Sequence, residues 1–332
     1  MSGDLRRRRL GAAGPEVSEI GIGTNNFGRR LDKKGAEEVV SAALEHGINL
    51  FDTADSYGAG ESERFLGEAL RGRRGDAFVA TKFGVSMPGL EPSDRRGSRE
   101  YIRAAIDGSL GRLQVDCIDL YQMHQPDPAT PIAETLGAMH ELVEQGKVRW
   151  IGVSNFAGWQ LLDAQGIART EHLTELISSQ DEYSLLNRGI EQEVLPAIEH
   201  LGLGLLPYFP LASGLLTGKY RRGQPAPAGT RLAGGPHAAE LADQSRFDIL
   251  EKLEEFAGER GISLLQVAIG SLLGRATVSS VIAGAMSPAQ VTANVAAASW
   301  VASAEDWRAL DLITGSSRSC GIVGPPSSPA PG

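Results

Sequence analysis

Eight short apolar segments recur along this chain of 332 residues, and stretches with helical spacing separate most of them. The segments are Ile20–Ile22, Ile48–Phe51, Phe78–Ala80, Ile118–Tyr121, Val148–Val153, Leu176–Ile177, Leu203–Leu206 and Val281–Ile282. Helical periodicity marks, among others, residues 36–45, 99–113, 131–145 and 191–201. Alternating strands and helices imply parallel strands joined by right-handed crossovers, and eight repeats favour a closed barrel over an open sheet. The sequence therefore predicts an α/β fold, a (β/α)8 TIM barrel.

Three further segments complete this prediction. Residues 10–14 have turn chemistry between two short extended runs, which indicates an N-terminal hairpin at the bottom of the barrel. A long segment rich in Gly, Pro and Ala, residues 211–239, follows the seventh strand, and we expect it to cross the active face before helices at 245–260 and 263–273. We predict one catalytic domain over residues 1–315 and a disordered tail over 316–332, which is almost devoid of apolar residues.

The formal net charge of −9 makes a general affinity for nucleic acid or for an anionic membrane surface improbable. We interpret the run of arginines at 6–9 as a solvated strand edge. No apolar stretch approaches the roughly 20 residues that cross a bilayer, and the first residues lack a secretory signal, so we expect a cytoplasmic protein. Cys117 and Cys320 stand far apart without paired Cys or His, and we expect neither a disulfide nor a metal site.

Polar residues at the carboxyl ends of barrel strands converge on one face, and four titratable side chains occur there. They are Asp52 after the second strand, Tyr57 in the following loop, Lys82 after the third strand and His124 after the fourth. Taken singly, each has a structural explanation, such as a turn cap or a solvated side chain. Four of them at the ends of three consecutive strands are much less readily explained by chance.

These four residue types suit the reduction of a carbonyl group, which needs a hydride on carbon and a proton on oxygen. A tyrosine with an ordinary pKa of about 10 is a weak acid, so it must be tuned. A lysine ammonium lowers that pKa, and an aspartate paired with the lysine keeps it charged and in place. We therefore predict Tyr57 as the acid, Lys82 and Asp52 as its tuning pair, and His124 as the donor that orients the carbonyl oxygen.

Residues 51–58 (FDTADSYG) and 60–63 (GESE) resemble the signature of the aldo-keto reductase superfamily. Further segments resemble its bacterial members: 23–28 (GTNNFG), 81–84 (TKFG), 119–124 (DLYQMH), 146–149 (GKVR), 152–156 (GVSNF) and 215–220 (LLTGKY). The resemblance covers most of the chain, and all four catalytic positions carry the residue types of the family. It implies NAD(P)H-dependent reduction of an aldehyde or ketone.

The resemblance also implies a cofactor site. Ser154, Asn155 and Gln180 match the positions that hold the nicotinamide carboxamide, and their hydroxyl and amide groups suit a neutral amide. Tyr208 matches the aromatic residue that stacks on the nicotinamide. The residues implied along the remainder of the dinucleotide are Gly23, Thr24, Asn25, Phe209, Pro210, Leu211, Gly214, Leu215 and Lys219. Phe209 departs from the family pattern, which has serine there, so a hydroxyl contact to the cofactor is lost.

The segment after the eighth strand departs from the family again, because Met286 stands where related chains often carry arginine or serine. Gly284, Ser287, Gln290 and Asn294 complete the predicted site. Ser287 is the expected N-cap of a helix whose free N–H groups favour an anion, while Gln290 and Asn294 share one helix face. We expect NADPH to be preferred, with NADH possible, but less strongly than in relatives with an arginine.

The substrate itself is not specified by the sequence. We name Phe27, Phe83 and Met87 as pocket candidates, and this mixture does not distinguish a small aldehyde, a quinone or a keto-sugar. Two alternatives stay open: a sugar or polyol dehydrogenase that works in the oxidative direction, and a cofactor-sensing partner protein with little turnover. The sequence does not indicate an oligomeric state.

Overall fold

Eight parallel strands form the wall of a barrel in the computed structural model, which describes residues 5–85, 95–233 and 243–315. The strands are β3 (Ile20–Gly23), β4 (Leu50–Asp52), β5 (Phe78–Phe83), β6 (Ile118–Met123), β7 (Val148–Ser154), β8 (Leu176–Gln180), β9 (Gly204–Leu205) and β10 (Val281–Gly284). Each overlaps one of the eight apolar segments. They pair in the order β10-β3-β4-β5-β6-β7-β8-β9, so each strand of the run β3 to β9 lies beside its neighbour in sequence.

Backbone hydrogen bonds close the ring between β9 and the residues around β10. The Leu205 N–H donates to the Thr277 carbonyl and the Ser279 N–H to the Leu205 carbonyl, both at 2.9 Å. The Ile282 N–H donates to the Pro207 carbonyl, also at 2.9 Å. The predicted (β/α)8 barrel is therefore confirmed.

Helices follow most of the strands and cover the barrel. They are α1 (Lys33–Glu45), α2 (Glu61–Ala69), α3 (Arg99–Leu113), α4 (Ile132–Glu144), α5 (Gly158–Thr170), α6 (Val194–Leu201), α7 (Gln244–Glu259), α8 (Leu264–Leu273), α9 (Pro288–Ala297) and α10 (Ala304–Thr314). The sequence analysis did not single out α2, α5 and α10. Helix α1 begins three residues before the predicted start, because the Asp32 carboxylate accepts the Gly35 N–H at 2.9 Å and caps the helix. None of the helices in the described part of the chain combines the length and apolar composition needed to cross a bilayer.

The predicted N-terminal hairpin consists of β1 (Arg7–Arg9) and β2 (Glu16–Ser18), which pair antiparallel. Its Leu10 and Val17 are fully buried in a cluster with side chains that fill the lower barrel: Leu50, Phe78, Ala80, Leu120, Ile177, Leu206 and Ile282. Gly11 has φ +67°, and a Cβ there would lie 2.5 Å from the Ile177 carbonyl oxygen. Only glycine fits this turn, so the hairpin plugs the barrel as predicted.

The arginine run at 6–9 is not simply a solvated strand edge. Arg6 Nε lies 3.0 Å from Oε1 of the buried Glu19. Arg8 donates to the Leu273 carbonyl at 2.7 Å and to the Val278 carbonyl at 3.1 Å. Two of the four arginines therefore tie the hairpin to the bottom of the barrel, because the last carbonyls of α8 accept cations readily.

The segment after β9 extends toward the loop that follows β3. A short 3-10 helix (Ala212–Thr217) packs on α8 in a second apolar cluster, which also includes α7 and α10. Farther along, the Gly229 carbonyl accepts a hydrogen bond from Arg30 Nη2 at 2.6 Å. The long loop after the seventh barrel strand thus reaches across the mouth of the barrel, as predicted. Residues 234–242 and the predicted tail 316–332 lie outside the described residues.

Candidate active site

The alternation of side chains along β4 and β5 decides which residues face the barrel interior. Leu50, Phe78 and Ala80 belong to the inner apolar cluster, and Asp52 and Lys82 follow two positions later on the same faces. His124 comes directly after β6, and its backbone N–H donates to the Phe83 carbonyl at 2.8 Å. The upper end of the barrel interior is therefore polar, whereas its lower part is apolar.

Lys82 is the centre of the predicted catalytic group. Its side chain is fully buried, and its Nζ lies 2.7 Å from Asp52 Oδ2, 2.8 Å from the Thr53 carbonyl oxygen and 3.4 Å from Tyr57 Oη. An ammonium group has three N–H donors, so these contacts use all of them. The Tyr57 and His124 rings meet edge to face, with centroids 5.8 Å apart. The structure thus brings the four predicted residues together.

Burial and neighbouring charges act in opposite directions on this group. Burial would lower the pKa of Lys82, but Asp52 and Tyr57 outweigh it and raise the pKa, so the side chain is held as an ammonium. Burial raises the pKa of Tyr57, Lys82 opposes that rise, and Asp52 adds to it. The net shift for Tyr57 is upward, whereas the sequence analysis expected Lys82 to lower it. The difference arises because the effect of burial on the pKa of Tyr57 is larger than the opposing effect of Lys82. Lys82 still favours loss of the tyrosine proton.

His124 is held in its neutral form. Burial, together with the nearby Lys82, lowers its pKa from 6.5 to about 3. Its Nδ1 is buried, with no hydrogen-bond partner among the described residues. A neutral imidazole carries one N–H, which suits the predicted role of a hydrogen-bond donor to a carbonyl oxygen.

A chain of hydrogen bonds joins the predicted nicotinamide residues to the catalytic group. Tyr208 Oη donates to Asn155 Oδ1 at 2.7 Å, and Asn155 Nδ2 donates to Ser154 Oγ at 3.0 Å. Ser154 Oγ donates to the Gln180 carbonyl at 2.7 Å, and Gln180 Nε2 donates to Asp52 Oδ1 at 2.8 Å. Asn155 has a left-handed backbone with φ 61°, a conformation that asparagine tolerates. The side chains at the ends of β4, β7 and β8 are therefore mutually oriented.

A lysine approaches the backbone in the segment after β9. Gly214 has φ +96°, and a Cβ there would lie 2.9 Å from Lys219 Nζ. Because this position has no side chain, the Lys219 ammonium can lie over its partly exposed backbone. Pro210 and Leu215, in contrast, are buried, so their side chains present little surface to a ligand.

Phe209 is held between two side chains. It has φ 50°, and its ring meets Tyr208 edge to face at 5.3 Å. The guanidinium of Arg231, in the long loop, lies 4.8 Å from the Phe209 ring centroid. The phenylalanine therefore packs the loop against Tyr208. The sequence analysis missed Arg231, because a lone arginine in a Gly- and Pro-rich segment has no periodicity to distinguish it.

The start of α9 differs in detail from the prediction. Ser287 stands at the N-cap and Pro288 at the first helical position, but the serine hydroxyl makes no capping hydrogen bond. Gln290 Oε1 instead accepts the Met286 N–H at 2.8 Å, which leaves the amide nitrogen of Gln290 to face outward as a donor. Asn294 is buried, and its Nδ2 has no partner in the described ranges.

Three predicted residues, Phe83, Phe27 and Thr24, do not present their side chains as expected. Phe83 follows the inward-facing Lys82, so its ring lies on the outer face of the wall and stacks on Tyr121, with centroids 4.8 Å apart. Phe27 is likewise fully buried in the main core, so neither ring lines an open pocket. The Thr24 hydroxyl forms hydrogen bonds with the Ser62 hydroxyl and the Asp52 carbonyl, whereas Gly23 and Asn25 are partly exposed. Met87 lies outside the described residues.

The described residues contain no group of three or more His, Cys, Asp or Glu placed to hold a metal ion. Cys117 carries a free thiol, and Cys320 is beyond the described ranges.

Comparison with known proteins identifies the class to which this barrel belongs. The profile of the Aldo/keto reductase family matches residues 19–314, so the chain belongs to that family and is an NAD(P)H-dependent oxidoreductase. It is 42% identical over 285 residues to the uncharacterized oxidoreductase YrpG of Bacillus subtilis, covering 83% of this chain and 85% of the relative. It is 37% identical over 302 residues to a probable voltage-gated potassium channel subunit beta of rice, covering 88% and 91%. It is 35% identical over 271 residues to probable aldo-keto reductase 1 of Glycine max, covering 80% and 76%.

Proposed function

We propose that this protein reduces an aldehyde or ketone to an alcohol with NADPH, with Tyr57 as the proton donor, and that it works in the cytoplasm. One observation carries the proposal: the Tyr57 hydroxyl lies 3.4 Å from an ammonium that is fully buried and paired with Asp52 at 2.7 Å. A buried cation beside a phenol stabilises the negative charge that remains on oxygen when the proton leaves.

The bound cofactor would supply the hydride, and the residues of the chain would supply the proton and the orientation. Tyr57 Oη would donate its proton to the carbonyl oxygen of the substrate. Lys82 compensates the developing phenolate, and Asp52 keeps Lys82 charged and fixed. The neutral His124 donates a hydrogen bond to the same carbonyl oxygen, which places the substrate against Tyr57.

The described residues fit a dinucleotide. Ser154, Asn155 and Gln180 offer hydroxyl and amide groups beside Asp52, which suits a neutral carboxamide. The exposed Lys219 lies over the backbone of Gly214, which suits the negative charge of a pyrophosphate. The buried Asn294 Nδ2 is a donor without a partner in the part of the chain that the structure describes, and buried donors in native proteins are normally bonded.

The preference for NADPH over NADH depends on the first turn of α9. The uncapped Ser287 hydroxyl, the positive end of the helix dipole and the amide nitrogen of the exposed Gln290 side chain are available to a 2′-phosphate. Met286 contributes no charge. We therefore propose a preference for NADPH that rests on neutral donors and the helix dipole, weaker than one based on arginine.

Replacement of Tyr57 by phenylalanine tests the proposed function. Tyr57→Phe removes the proton donor and leaves the nicotinamide residues in place, so carbonyl reduction should fall roughly 100- to 10,000-fold while NADPH binding stays nearly unchanged. Steady-state reduction of nitrobenzaldehyde measures turnover, and quenching of protein fluorescence measures binding. A variant whose turnover stays within a few-fold of wild type would refute the assignment of the acid.

The names of two relatives favour a second candidate, a channel-associated protein that binds the cofactor with little turnover. Besides the rice protein, a probable voltage-gated potassium channel subunit beta of Arabidopsis thaliana is 36% identical over 302 residues. The complete Tyr57, Lys82, Asp52 and His124 group supports the enzyme instead. Single-turnover mixing of enzyme-bound NADPH with nitrobenzaldehyde separates the two: an enzyme bleaches the absorbance of the reduced cofactor, whereas a pure sensor leaves it unchanged.

A further inference from the structure

Asp55 is a buried carboxyl close to Tyr57 that the proposed mechanism does not use. Its side chain is fully buried, and its backbone N–H donates to the carbonyl of Lys82 at 3.1 Å. The charged groups that act most strongly on its carboxyl are Glu63 of α2 and Arg112 of α3. Asp55 therefore faces the helix-covered side of the barrel wall, behind the strand that carries the catalytic lysine.

No side chain in the described ranges satisfies this carboxyl. Both carboxyl oxygens are buried without a hydrogen-bond partner. The nearby donors bond Glu63 instead. Its carboxylate accepts hydrogen bonds from Thr81 Oγ1 at 2.6 Å and from Arg112 Nε at 2.7 Å. An ionised carboxylate that is buried, unbonded and close to a second carboxylate is costly, so the neutral form is favoured.

The electrostatics agree with this geometry. Burial, and next the charge of Glu63, raise the pKa of Asp55 from 3.8 to about 7; Arg112, the nearby Ser56 N–H and Lys82 oppose that rise without cancelling it. Two tyrosines also face this region. Burial followed by the charge of Asp55 raises the pKa of Tyr101 to about 12 and that of Tyr121 well above 10.

We propose that Asp55 is a positioning residue for the reaction proposed above, and that its carboxyl must be neutral for Tyr57 to release its proton at full rate. The Tyr57 backbone N–H bonds to the Ala54 carbonyl at 3.2 Å, so the acid is held by the loop that contains Asp55. A negative charge on Asp55 opposes the negative charge that develops on Tyr57 Oη when the proton moves to the substrate oxygen. As pH rises, turnover therefore slows first when Asp55 ionises, at a lower pH than that at which Tyr57 itself ionises.

Other titratable groups also face Asp55. Glu63 on α2 forms an ion pair with Arg112 on α3 at 2.7 Å, and Lys82 on β5 is held charged by Asp52. Tyr101 on α3 and Tyr121 on β6 stay neutral, as does Tyr57 until more alkaline pH. Asp55 is thus the group whose change in charge is expected near neutral pH.

The test compares three proteins: wild type, Asp55→Asn, and the control Asp163→Asn, which removes the same charge from an exposed position on α5. We measure kcat and KM for nitrobenzaldehyde from about pH 6 to about pH 9. Wild type and Asp163→Asn should lose kcat several-fold with a midpoint near neutral pH, whereas Asp55→Asn should stay level there and keep its low-pH rate, with KM little changed. Coincident profiles for all three proteins, or a loss in Asp55→Asn that is equal at every pH, would overturn the proposal.

A second measurement does not depend on activity. Because the pKa of Asp55 is raised in the folded protein, its contribution to stability is complete below the ordinary pKa of 3.8 and is lost as pH rises toward about 7. As pH rises across that window, the urea midpoint of Asp55→Asn should therefore increase relative to that of wild type. The midpoint of Asp163→Asn should keep a constant difference from wild type. A constant difference for Asp55→Asn as well would refute the ionisation of Asp55. If wild type reduces no carbonyl compound, the proposed function fails, while this measurement still reports on the carboxyl.

If Asp55→Asn does not fold, carbon-13 NMR of the aspartate-labelled wild-type protein still allows the test. Burial also raises the pKa of Asp181 to about 6, so two buried carboxyls should titrate above the ordinary aspartate range, and Asp181→Asn should remove one of them and leave that of Asp55, near 7. If every aspartate resonance titrates in the ordinary acidic range, the proposal is wrong.

Discussion

Lys82→Met is the most informative perturbation of this site, because methionine keeps an unbranched apolar stem of nearly the same length and removes the charge and its donors. In the wild-type protein, Lys82 Nζ contacts Asp52 at 2.7 Å and the Thr53 carbonyl at 2.8 Å, with no exposed surface. After the substitution, Asp52 retains the hydrogen bond from Gln180 Nε2 at 2.8 Å but loses its counter-charge.

The expected cost follows from that geometry. Breaking a buried ion pair by removal of one partner costs about 3–5 kcal/mol, because the remaining charge is left buried. Native domains are stable by only about 5–15 kcal/mol, so the substitution removes a large fraction of the total. Turnover should also fall roughly 100-fold or more, because the positive charge that compensates Tyr57 is gone.

Urea unfolding followed by tryptophan fluorescence measures the free energy, and two further variants serve as controls. Lys33→Met breaks an ion pair at the surface, Lys33 Nζ to Glu68 Oε2 at 2.6 Å, and should change the stability far less, because solvent screens such pairs. The double variant Lys82→Met with Asp52→Asn removes both charges. It should recover much of the lost stability without recovering turnover.

Two results would refute this reasoning. A Lys82→Met protein as stable as Lys33→Met would mean that Asp52 does not depend on Lys82 for compensation. A double variant no more stable than Lys82→Met would mean that the loss came from packing and not from an uncompensated charge.

Three further predictions follow from other parts of the molecule. His124 should stay neutral from about pH 5 upward, because burial and Lys82 lower its pKa to about 3, and its imidazole resonances in NMR should not titrate near 6.5; a titration there would contradict the described surroundings of the ring. Met286→Arg should tighten NADPH binding roughly 10- to 100-fold through a charge-assisted hydrogen bond and leave NADH nearly unchanged. Fluorescence titration checks this, and tighter binding of NADH than of NADPH to wild type would exclude the proposed preference. Gly11→Ala should destabilise the protein by about 1–3 kcal/mol more than the control Gly47→Ala, since both residues have positive φ but only at Gly11 would a Cβ meet backbone, at 2.5 Å. Equal urea midpoints for the two alanine variants would show that the hairpin turn is not tightly packed.

The barrel could be predicted from the sequence because its strands are buried on both faces and read as separate apolar runs. The four residues at the strand ends were found for a related reason: polar side chains directly after such runs are conspicuous. Helix α5 was not singled out; it contains two glycines, Gly158 and Gly166, and its apolar periodicity is weak. The start of α1 was placed late because its cap, Asp32, precedes the apolar residues.

The features that the sequence did not predict depend on where side chains point and on how far apart residues lie in the folded protein. Phe83 is next to Lys82 in sequence, yet the alternation of a strand sends its ring to the opposite side of the wall. The upward pKa shift of Tyr57 depends on the depth of its burial, which no residue spacing encodes. Arg8 bonds carbonyls about 270 residues away, so its role appears only after the barrel has closed.

The chain of hydrogen bonds from Tyr208 to Asp52 has a consequence for engineering the protein. Every member of that chain shares a partner with the next, so energetic effects of paired substitutions along it should be non-additive. A change at Gln180 that is meant to alter cofactor binding will also disturb the carboxylate that holds Lys82, because Gln180 Nε2 donates to Asp52 Oδ1. Gln290 and Met286 bond each other and are not part of this chain. Cofactor preference can therefore be redesigned at α9 independently of proton delivery, whereas redesign at the nicotinamide end alters both properties together.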